Sequence, residues 1–536
     1  MCISDSIIII NKEDYRNKTL DFINKNKFIK IKKVPTEKNQ KEIKEVIKYS
    51  KYIFNNANHN QEEDLNNIKK MKRQAINIHP TAPRIKALPK THKEDMPIRP
   101  VINNVNAPNH KLSKIIAKKM KEIIHLENKF TIKNSYELIE KLKNIQISKS
   151  TNLASFDITN LYTNIPIDRT INIIKHKLTE NNHDAVFANE IVKIISTIMN
   201  QNYFQLNNDF YKQNTGIPMG NPLSGIISEI FLQHLENENL QTIIDKHKIQ
   251  FMARYVDDII IIYDEKLSNI DTIYEDMNKI DKNIEYTIEK EHNNKINYLD
   301  LTIIKNNNKI EYDIYRKPTH TEICIHRDSR HPMQQKLSTF HSLIHRLHKI
   351  PLTKERYSKE VNYIKNLAIK NGYNTYLINN LIKKSQRKEE LSKCTALKTK
   401  DNNTYKWITL TYTGSETHKI ANIIKKHNKN IKIAYKTDNN IKQIIPNQIS
   451  KINKYDKRGV YKINCKNCNK FYIGMTNRNF NIRYKEHIQD FLNNRGRSNY
   501  ANHLLNQGHE HDVIENSMEI LHVENHFNKN KILEDI

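Results

Sequence analysis

Glycine is scarce in this sequence, with nine residues in a chain of 536. Glycine takes positive φ angles and permits close backbone approach at little cost, so each of these few is expected at a special position. Five of the nine lie in two short segments, GIPMGNPLSG (216–225) and a later segment that contains Gly459 and Gly474. These two segments are therefore the first places to look for function.

Cysteine and long apolar runs are also scarce. An odd count of five cysteines, without a signal peptide, predicts a reducing compartment rather than a disulfide framework. The four isoleucines at 7–10 are too few for a signal-peptide core or a membrane span, and no other stretch is apolar enough to cross a bilayer. No motif recurs at a period of 20–50 residues, which excludes a solenoid. We expect no secretory segment, no transmembrane segment and no membrane partner.

Positive charge, in contrast, is abundant. The chain has 88 Lys and Arg against 59 Asp and Glu, a formal net charge of +29. A protein that binds a polyanion gains affinity by neutralising phosphates and releasing counterions, so nucleic acid is the expected partner. Membrane-surface binding is a rival, but no basic amphipathic helix stands alone. Compositional drift towards Lys, Asn and Ile is a second rival, so the charge alone does not decide.

Hydrophobic periodicity predicts a coarse order of helices and strands. Helices are expected at 41–54, 185–200, 222–240 and throughout 332–400. Strands are expected at 152–158, in a hairpin at 203–213 that turns at Asn207-Asn208, in two runs across 250–263, and in paired runs at 296–304 and 309–315. Residues 84–113 are expected to be irregular because of their prolines, and 401–455 are mixed without a motif.

Three aspartates interrupt or end apolar runs. Asp157 ends the run 153–156, and Asp257 and Asp258 separate two further apolar runs. Charges within buried strands are costly unless they bind a cation or a partner. Adjacent carboxylates suit a hard divalent cation, and three of them at neighbouring strand ends could hold two Mg²⁺ ions about 3.5–4 Å apart for in-line phosphoryl transfer. The alternative is that Asp257-Asp258 marks a solvated turn.

The flanking residues resemble a known family. FDITNLYTNIP (156–166), GIPMGNPLS (216–224) and YVDD (255–258) are similar to motifs A, B and C of reverse transcriptases, in the same order. Their wording resembles Penelope-like elements, a group related to telomerase catalytic subunits, as do LPKTHKEDMPIRPVIN (88–103), INYLDLTI (296–303) and YRKPTHTE (315–322) followed by HP at 331–332. The resemblance covers roughly residues 7–536 and is weakest at 1–80 and 360–450.

The resemblance implies a role for each matching position of the polymerase. Asp157, Asp257 and Asp258 would be the ligands of two Mg²⁺ ions. Tyr315, Arg316 and Lys317 would lie near the primer grip, although the basic end of a strand explains them nearly as well.

Further positions would bind the nucleotide and the template. Tyr162 matches the steric gate against a ribose 2′-OH; the alternative is a core tyrosine. Arg99, with Lys90 or Lys93, matches positions that grip the triphosphate, for which bidentate Arg–phosphate geometry gives a reason; the alternative is a solvated basic face. Gly220 matches a position where the backbone passes close to the template and the incoming base, and it is also suited to the start of a helix.

A second constellation lies near the C-terminal end. The ordered set GVY (459–461), YIG (472–474), Arg483 and His487 resembles a GIY-YIG nuclease, with the last two on one face if 482–491 is helical. The resemblance implies that Tyr461 or Tyr472 helps to activate water and that Arg483 stabilises the pentavalent phosphate. Glu534 would hold one Mg²⁺. The sequence stops two residues later, where the resemblance expects a helix to continue, so an inactive, DNA-binding domain is the alternative.

Two cysteines and two histidines in the same region suit tetrahedral zinc. Cys465 and Cys468 form a CxxC between GVY and YIG, and His503 and His509 follow. Thiolate and imidazole are the ligands of structural Zn²⁺ sites. The alternative is free thiols and surface histidines in a chain with 24 His.

The expected fold is α+β: a right-hand polymerase with fingers, palm and helical thumb, followed by a small α/β GIY-YIG nuclease. The expected domains are a partly helical N-terminal region (1–83), fingers and palm (84–330), thumb (331–400), linker (401–455) and nuclease (456–536). The partners would be template RNA, primer or target DNA and dNTPs, with cytoplasmic synthesis and a nuclear working site. The rivals are a non-catalytic nucleic-acid-binding protein, which leaves the ordered carboxylates unexplained, and a group II intron maturase or telomerase subunit, which leaves the C-terminal unit unexplained.

Overall fold

The computed structural model describes residues 10–54, 61–78, 80–90, 95–394, 405–428, 430–437, 454–523 and 534. The chain divides into two units, Met1–Asn439 and Asn440–Ile536. Among the described residues, no helix has both the length and the apolar character needed to cross a bilayer.

The first unit is a mixture of helices and strands throughout. It begins with α1 (Lys12–Lys25), β1 (Ile29–Ile31), α2 (Thr36–Tyr49), α3 (Gln61–Ala75), β2 (Arg84–Pro89), β3 (Ile98–Asn103), α4 (His110–Ile123), α5 (Ser135–Leu142), β4 (Thr151–Ile158), α6 (Leu161–Asn164), α7 (Ile167–Glu180), α8 (Ala185–Asn200), β5 (Tyr203–Leu206), β6 (Asp209–Lys212), α9 (Ser224–Lys246), β7 (Phe251–Tyr255) and β8 (Asp258–Asp264). It continues through α10 (Ile270–Asn278), β9 (Tyr286–Lys290), β10 (Lys295–Tyr298), β11 (Leu301–Asn306), β12 (Lys309–Ile314), α11 (Met333–Lys336), α12 (Ser338–Lys349), α13 (Lys354–Lys370), α14 (Thr375–Cys394), β13 (Lys406–Thr411), α15 (Ser415–His427) and β14 (Ile431–Lys436).

A four-stranded antiparallel sheet, ordered β7-β8-β4-β9, forms the centre of the first unit. Side chains of β8 alternate between two cores: Ile259 and Ile261 pack with the surrounding helices, and Ile260 and Ile262 pack against the sheet β10-β11-β12. Both faces of the strand are therefore covered, which explains why the sequence has an unbroken apolar run there. We call this the palm sheet.

A five-stranded sheet, ordered β1-β6-β5-β2-β3, combines strands from before and after β4. The expectation that residues 84–113 are irregular is wrong, because they contain β2, β3 and the start of α4. Pro89 ends β2, and Pro100 lies on the edge strand β3, where a missing backbone donor is tolerated. Strand β1 joins the same sheet, so the expected boundary between residues 83 and 84 divides one sheet.

Several expected elements are confirmed. The helix at 185–200 is α8, the strand at 152–158 is β4, and the hairpin at 203–213 is β5–β6, with Asn207 at φ +54° in its turn. Three boundaries differ: α2 begins earlier and ends earlier than 41–54, α9 runs on to Lys246, and the run 296–304 is itself a hairpin of β10 and β11. Helices α11–α14 confirm the helical prediction for 332–400 as far as Cys394, and α12–α14 share a core of their own.

Residues expected to be a linker contain a folded β–α–β unit. Strands β13 and β14 pair in parallel, and α15 connects them and packs on both. The side-chain amide of Gln335 on α11 donates to the Tyr435 carbonyl oxygen at 2.8 Å and ties this unit to the helical region. Residues 405–437 of the segment expected to be a linker are therefore folded.

The second unit is small and has its own core. It contains a 3₁₀ turn (Lys454–Asp456), β15 (Gly459–Asn464), β16 (Phe471–Thr476), α16 (Phe480–Leu492), α17 (Asn499–Gln507), α18 (Ile514–Ser517) and β17 (Met518–Val523). Its antiparallel sheet has the order β16-β15-β17. The helix expected at 482–491 is α16, whose Phe480 and Tyr484 pack with Tyr461 of the central strand.

Candidate active sites

Three aspartates converge at one end of the palm sheet. Strands β4 and β8 pair so that Asp157 lies directly opposite Asp258. Tyr255 pairs with Asp258 across the β7–β8 hairpin, which leaves Val256 and Asp257 as the two residues of its turn. We call Asp157, Asp257 and Asp258 the palm triad. The three aspartates therefore lie at neighbouring strand ends, as the sequence predicts.

The palm triad is electrostatically unfavourable without a cation. Burial, together with the negative charges of Asp257 and Asp157, raises the pKa of Asp258 to about 7, while Lys317 opposes the shift. A group so perturbed by its neighbours is a functional-site candidate. A bound divalent cation would favour the ionised carboxylates, so the donor set fits the Mg²⁺ ions that the sequence predicts.

The backbone of the hairpin is strained at its turn, and two buried side chains donate hydrogen bonds to it. Val256 has φ +59°, a conformation that is unusual for a β-branched residue. The Arg254 guanidinium donates from Nη1 to the Val256 carbonyl oxygen at 3.0 Å. The hydroxyl of Tyr298, which is buried, donates to the Asp258 carbonyl oxygen at 2.8 Å. Strain at a site is tolerated only where its surroundings enforce it, and these two donors hold the backbone of the triad.

Arg254 belongs to a buried polar network that sequence reasoning missed. Its side chain is 1% exposed. It donates to Glu229 at 2.8 and 3.1 Å, to Thr131 at 3.1 Å and to Glu236, both glutamates lying on α9. The sequence does place a charged residue in the otherwise apolar run that precedes YVDD. Because a buried charge requires partners, this residue could have indicated the network.

Tyr162 lies close to the palm triad. It sits on α6, five residues after Asp157, and its side chain is partly buried between two hydrophobic clusters. Burial raises the pKa of its hydroxyl, and the negative charge of Asp257 raises it further. The amide of Ile217 donates to the Tyr162 carbonyl oxygen at 2.8 Å, which fixes the GIPMGNPLS loop beside it.

The remaining nucleotide-binding candidates lie in or beside the five-stranded sheet. Arg99 is on β3 opposite Leu88, and Lys90 follows β2, its amide donating to the Pro97 carbonyl oxygen at 2.8 Å. Lys93 lies outside the described residues. Gly220 has φ +76°, and a Cβ there would overlap the carbonyl oxygen of Ile102 on β3. The close approach that the structure shows at this glycine is therefore to its own chain.

In the second unit, the two expected tyrosines and the arginine and histidine come together. Tyr461 on β15 pairs with Gly474 on β16, where a Cβ would lie 2.7 Å from the Tyr472 ring and 2.8 Å from the Tyr461 hydroxyl. The Tyr461 hydroxyl is 2.8 Å from Nε2 of His487, and Arg483 Nε donates to it at 3.2 Å. Glycine at 474 therefore makes room for the packed rings. We call Tyr461, Tyr472, Arg483 and His487 the tyrosine site.

The tyrosine site has a definite protonation state. Burial, together with the positive charge of Arg483, lowers the pKa of His487 to about 3, so the imidazole is neutral at pH 7. Burial raises the pKa of Tyr461, against the influence of Arg483. Nδ1 of His487 is buried without a protein partner among the described residues. Glu486, which the sequence reasoning did not name, accepts from Arg483 Nη1 at 3.0 Å.

Glu534 reaches the same sheet. The amide of Met475, one residue after YIG, donates to the Glu534 carboxylate at 3.0 Å. The last acidic candidate is therefore placed beside β16, although it is more than fifty residues away in sequence. Its neighbours at 524–533 and 535–536 lie outside the described residues.

Four possible zinc ligands converge beside the sheet. The ligand atoms of Cys465, Cys468, His503 and His509 all lie within 4.8 Å of one another. Cys465 Sγ is 3.3 Å from His509 Nδ1, Cys468 Sγ is 3.4 Å from His503 Nε2, and the two histidine nitrogens are 3.3 Å apart. Tetrahedral Zn²⁺ with Zn–S and Zn–N bonds of about 2.3 and 2.0 Å separates its ligands by roughly 3.3–3.8 Å. The donor set and its spacing therefore fit zinc. We call these residues the cysteine–histidine cluster.

Two family models match the chain. Residues 91–312 match "Reverse transcriptase (RNA-dependent DNA polymerase)", and residues 323–383 match "Animal helix-turn-helix domain". The second match covers α11–α13 and the start of α14, within the segment expected to be the thumb. A search of curated proteins finds no match.

Solved structures similar to the chain include telomerases. The telomerase from Candida albicans in complex with a TWJ fragment of telomeric RNA is 11% identical over 71% of this chain and 66% of that chain, with a TM-score of 0.41. Apo telomerase from Candida tropicalis is 12% identical over 72% and 64%, with a TM-score of 0.40. The chain thus spans less than two thirds of the length of these telomerases. Residues 91–312, which contain the palm triad, Tyr162 and the GIPMGNPLS loop, form a reverse transcriptase domain.

Proposed function

We propose that the chain is the RNA-directed DNA polymerase of a Penelope-like element, and that its second unit is a GIY-YIG endonuclease that nicks target DNA to provide the primer. The observation that carries the polymerase half is the pairing of Asp157 with Asp258 beside Asp257 within a reverse transcriptase domain. The amino-acid sequences of the motifs, which resemble those of Penelope-like elements, support this type of element. The ordered set of GVY, YIG, Arg483 and His487 supports the nuclease.

Asp157, Asp257 and Asp258 would hold two Mg²⁺ ions, which when bound supply charge stabilisation for in-line phosphoryl transfer. The raised pKa of Asp258 supports this assignment, because burial and the repulsion from Asp257 and Asp157 both disfavour the ionised carboxylate, and a bound cation would offset both. The protein's own contribution is to keep the triad in place. Arg254 and Tyr298 hold the carbonyl oxygens of Val256 and Asp258, so the backbone that carries the carboxylates needs little reorganisation when the ions bind.

Other residues of the first unit would bind the substrates. Tyr162 would exclude the ribose 2′-OH, and its nearness to Asp257 supports that position. Arg99, with Lys90 or Lys93, would bind the triphosphate. Gly220 would allow the motif-B loop to pass close to the template base. The helices at 331–394 would act as the thumb on the template–primer duplex, with affinity that falls steeply with salt.

Primer extension on an RNA template tests the polymerase. Asp157→Asn should abolish Mg²⁺-dependent extension. Asp264→Asn is the matched control, because Asp264 ends the same strand β8 at its opposite end and should leave extension intact. Tyr162→Ala should raise incorporation of rNTPs relative to dNTPs. Equal extension by Asp157→Asn and the parent would reject the palm assignment, and an unchanged rNTP ratio would reject the gate.

For the nuclease, the tyrosine site and Glu534 supply the roles that GIY-YIG chemistry needs. The Tyr461 hydroxyl, hydrogen-bonded to neutral His487, is suited to orienting a water and passing on its proton, with Tyr472 beside it. Arg483 would stabilise the charge on the pentavalent phosphate. Glu534 would hold one Mg²⁺ ion. The cysteine–histidine cluster would bind one structural Zn²⁺ ion and fix β15 against α17.

A nick made by a tethered nuclease would raise the local concentration of a 3′-OH for the polymerase. This proposal places the working site in the nucleus, where target DNA lies. The test is a supercoiled plasmid incubated with protein, Mg²⁺, RNA and dNTPs, in which cDNA joined covalently to plasmid should appear. Arg483→Ala should remove the joined product but leave extension of an annealed primer intact, whereas Arg495→Ala, an exposed arginine of the same unit, should retain both. A parent protein that binds the plasmid without nicking it would leave only the DNA-binding alternative.

A further inference from the structure

The open face of the β13–α15–β14 unit is unlike the rest of the surface. Helix α15 covers one face of the two strands, where Thr417, Ala421 and Ile433 are buried. The opposite face is exposed at Thr409 on β13 and at Lys432 on β14. It exposes Trp407, the one tryptophan in the chain, at 64% of its surface, and Tyr405 at 41%.

Two aromatic rings and a lysine are organised on this face. Tyr405 and Trp407 are two residues apart along an extended segment, so they project to the same side. Lys432 on β14 is in register with Trp407. Its ammonium lies 3.8 Å from the centre of the Tyr405 ring and 5.8 Å from the Trp407 ring. The lysine is thus fixed beside two accessible π-faces, and we call these three residues the aromatic platform.

The charge around the aromatic platform selects its partner. Residues 405–437 contain seven lysines and one glutamate, and no aspartate or arginine. An exposed patch of tryptophan and tyrosine could in general meet a protein, but the excess of lysine in this unit favours a polyanion. Exposed aromatic rings next to cations are the combination by which proteins bind unpaired bases and their phosphates.

We infer that the aromatic platform binds single-stranded RNA, with a base stacked on Trp407 and an adjacent phosphate held by Lys432. Stacking requires an unpaired base, so duplex RNA cannot occupy the platform in this way. The choice of RNA over DNA rests on the proposed function, because a polymerase that copies RNA must hold template that is not yet paired. Exposed Thr409 lies on the same face and provides a hydroxyl that can hydrogen-bond to a ribose 2′-OH.

Intrinsic fluorescence gives a local readout, because the chain has a single tryptophan. Oligo(U) added without dNTPs should quench Trp407 fluorescence with saturation, while duplex RNA of equal length and heparin should not. Oligo(dT) should require a several-fold higher concentration. None of these signals depends on polymerisation, so failure here and failure of primer extension are separate results.

Variants measured by anisotropy of labelled oligo(U) complete the test. Trp407→Ala should weaken binding at least about fivefold, the lower end of what loss of one stacked base causes. Trp407→Phe, which keeps a stacking ring, should restore most of the affinity. Lys432→Ala should weaken binding more than Lys425→Ala, an equal loss of charge on α15.

Four results would overturn the inference. They are RNA binding without quenching, equal quenching by duplex RNA or heparin, oligo(dT) that quenches at the same or lower concentration than oligo(U), and a Trp407→Ala protein that binds oligo(U) like the parent. The first and last of these results would instead favour a protein as the partner of the aromatic platform.

Discussion

The palm triad and the tyrosine site differ in how their charges are satisfied. In the palm, three carboxylates face one another, and burial with mutual repulsion raises the pKa of Asp258 to about 7. In the second unit, the Tyr461 hydroxyl already links His487 and Arg483 through hydrogen bonds. The palm triad is therefore organised to receive cations, whereas the tyrosine site is organised before any ligand binds.

The two regions also differ in what holds them. The palm triad rests on a large hydrophobic core and the buried network of Arg254. The second unit has a core of few residues, and Cys465 of the cysteine–histidine cluster is one of them. A small core is marginal on its own, so a bound metal is expected to matter far more for the second unit than for the first.

Loss of metal from the cysteine–histidine cluster should have the largest effect. Structural zinc contributes about 10–16 kcal/mol of apparent binding energy in small domains, so Cys465→Ser or a chelator should unfold the second unit. Primer extension by the first unit should persist. Hydrogen exchange across both units is the measurement, and Cys324→Ser, a thiol of the first unit, is the control. Protein purified without chelator that contains no zinc would contradict the claim.

Breaking the hydrogen-bonded network around Arg254 should have the second-largest effect, a loss of stability of the first unit. Arg254→Met keeps much of the side-chain volume but leaves Glu229 and Glu236 without their cation, at a cost of about 3–5 kcal/mol. Glu236→Gln added to it should recover part of the loss. The matched control is Arg356→Met, whose partner Glu311 is near the surface, with an expected cost of about 1 kcal/mol or less. Equal urea midpoints for the two single variants would show that the network does not stabilise the palm.

A methyl group at Gly474 should disturb only the tyrosine site. Gly474→Ala would press on the rings of Tyr461 and Tyr472, and overpacking of this kind costs about 1–3 kcal/mol. Plasmid nicking should fall while primer extension is unchanged. Gly225→Ala is the control, because nothing lies within 4 Å of its added Cβ. Normal nicking by Gly474→Ala would show that the two rings need not be packed this closely.

The smallest expected effect is a pH dependence confined to the palm. The folded pKa of Asp258, about 7, is above its unfolded value, so protonation stabilises the metal-free fold below the unfolded pKa, and this contribution is lost as pH rises through 7. Mg²⁺ competes with that proton. The Mg²⁺ concentration needed for half-maximal extension should therefore rise as pH falls below 7, by at most about tenfold per pH unit. Asp258→Asn removes the carboxyl group that binds this proton. A pH-independent Mg²⁺ requirement in the parent would contradict the account.

The sequence predicted those parts of the fold that depend on local pattern. Strand β4, helix α8 and the β5–β6 hairpin follow from apolar runs, helical spacing and an Asn-Asn turn. Residues 84–113 were expected to be irregular because prolines are typical of loops. The sequence alone does not show that a proline lies on an edge strand. The β–α–β unit was missed because its strands are half exposed, so they carry no clear apolar run.

The candidate sites likewise contain some contacts that the sequence predicts and others that only the structure shows. Convergence of Asp157 with Asp258 could be expected from strand ends and from the resemblance of the motifs. The partners of Arg254 could not, because they lie 18 and 25 residues earlier on a helix whose packing only the structure provides. The contact between Glu534 and Met475 likewise joins positions that no local pattern relates.

The central claim is that the palm triad holds the cations that DNA synthesis requires. The most direct test is the single-turnover rate of adding one dNTP to a DNA primer on an RNA template, for Asp258→Asn and Asp264→Asn, with thermal unfolding of both proteins. The account predicts a fall of about a hundredfold or more for Asp258→Asn, with no loss of stability because a repulsive charge is removed, and a rate near that of the parent for Asp264→Asn. A folded Asp258→Asn protein that extends the primer at the parental rate would contradict it.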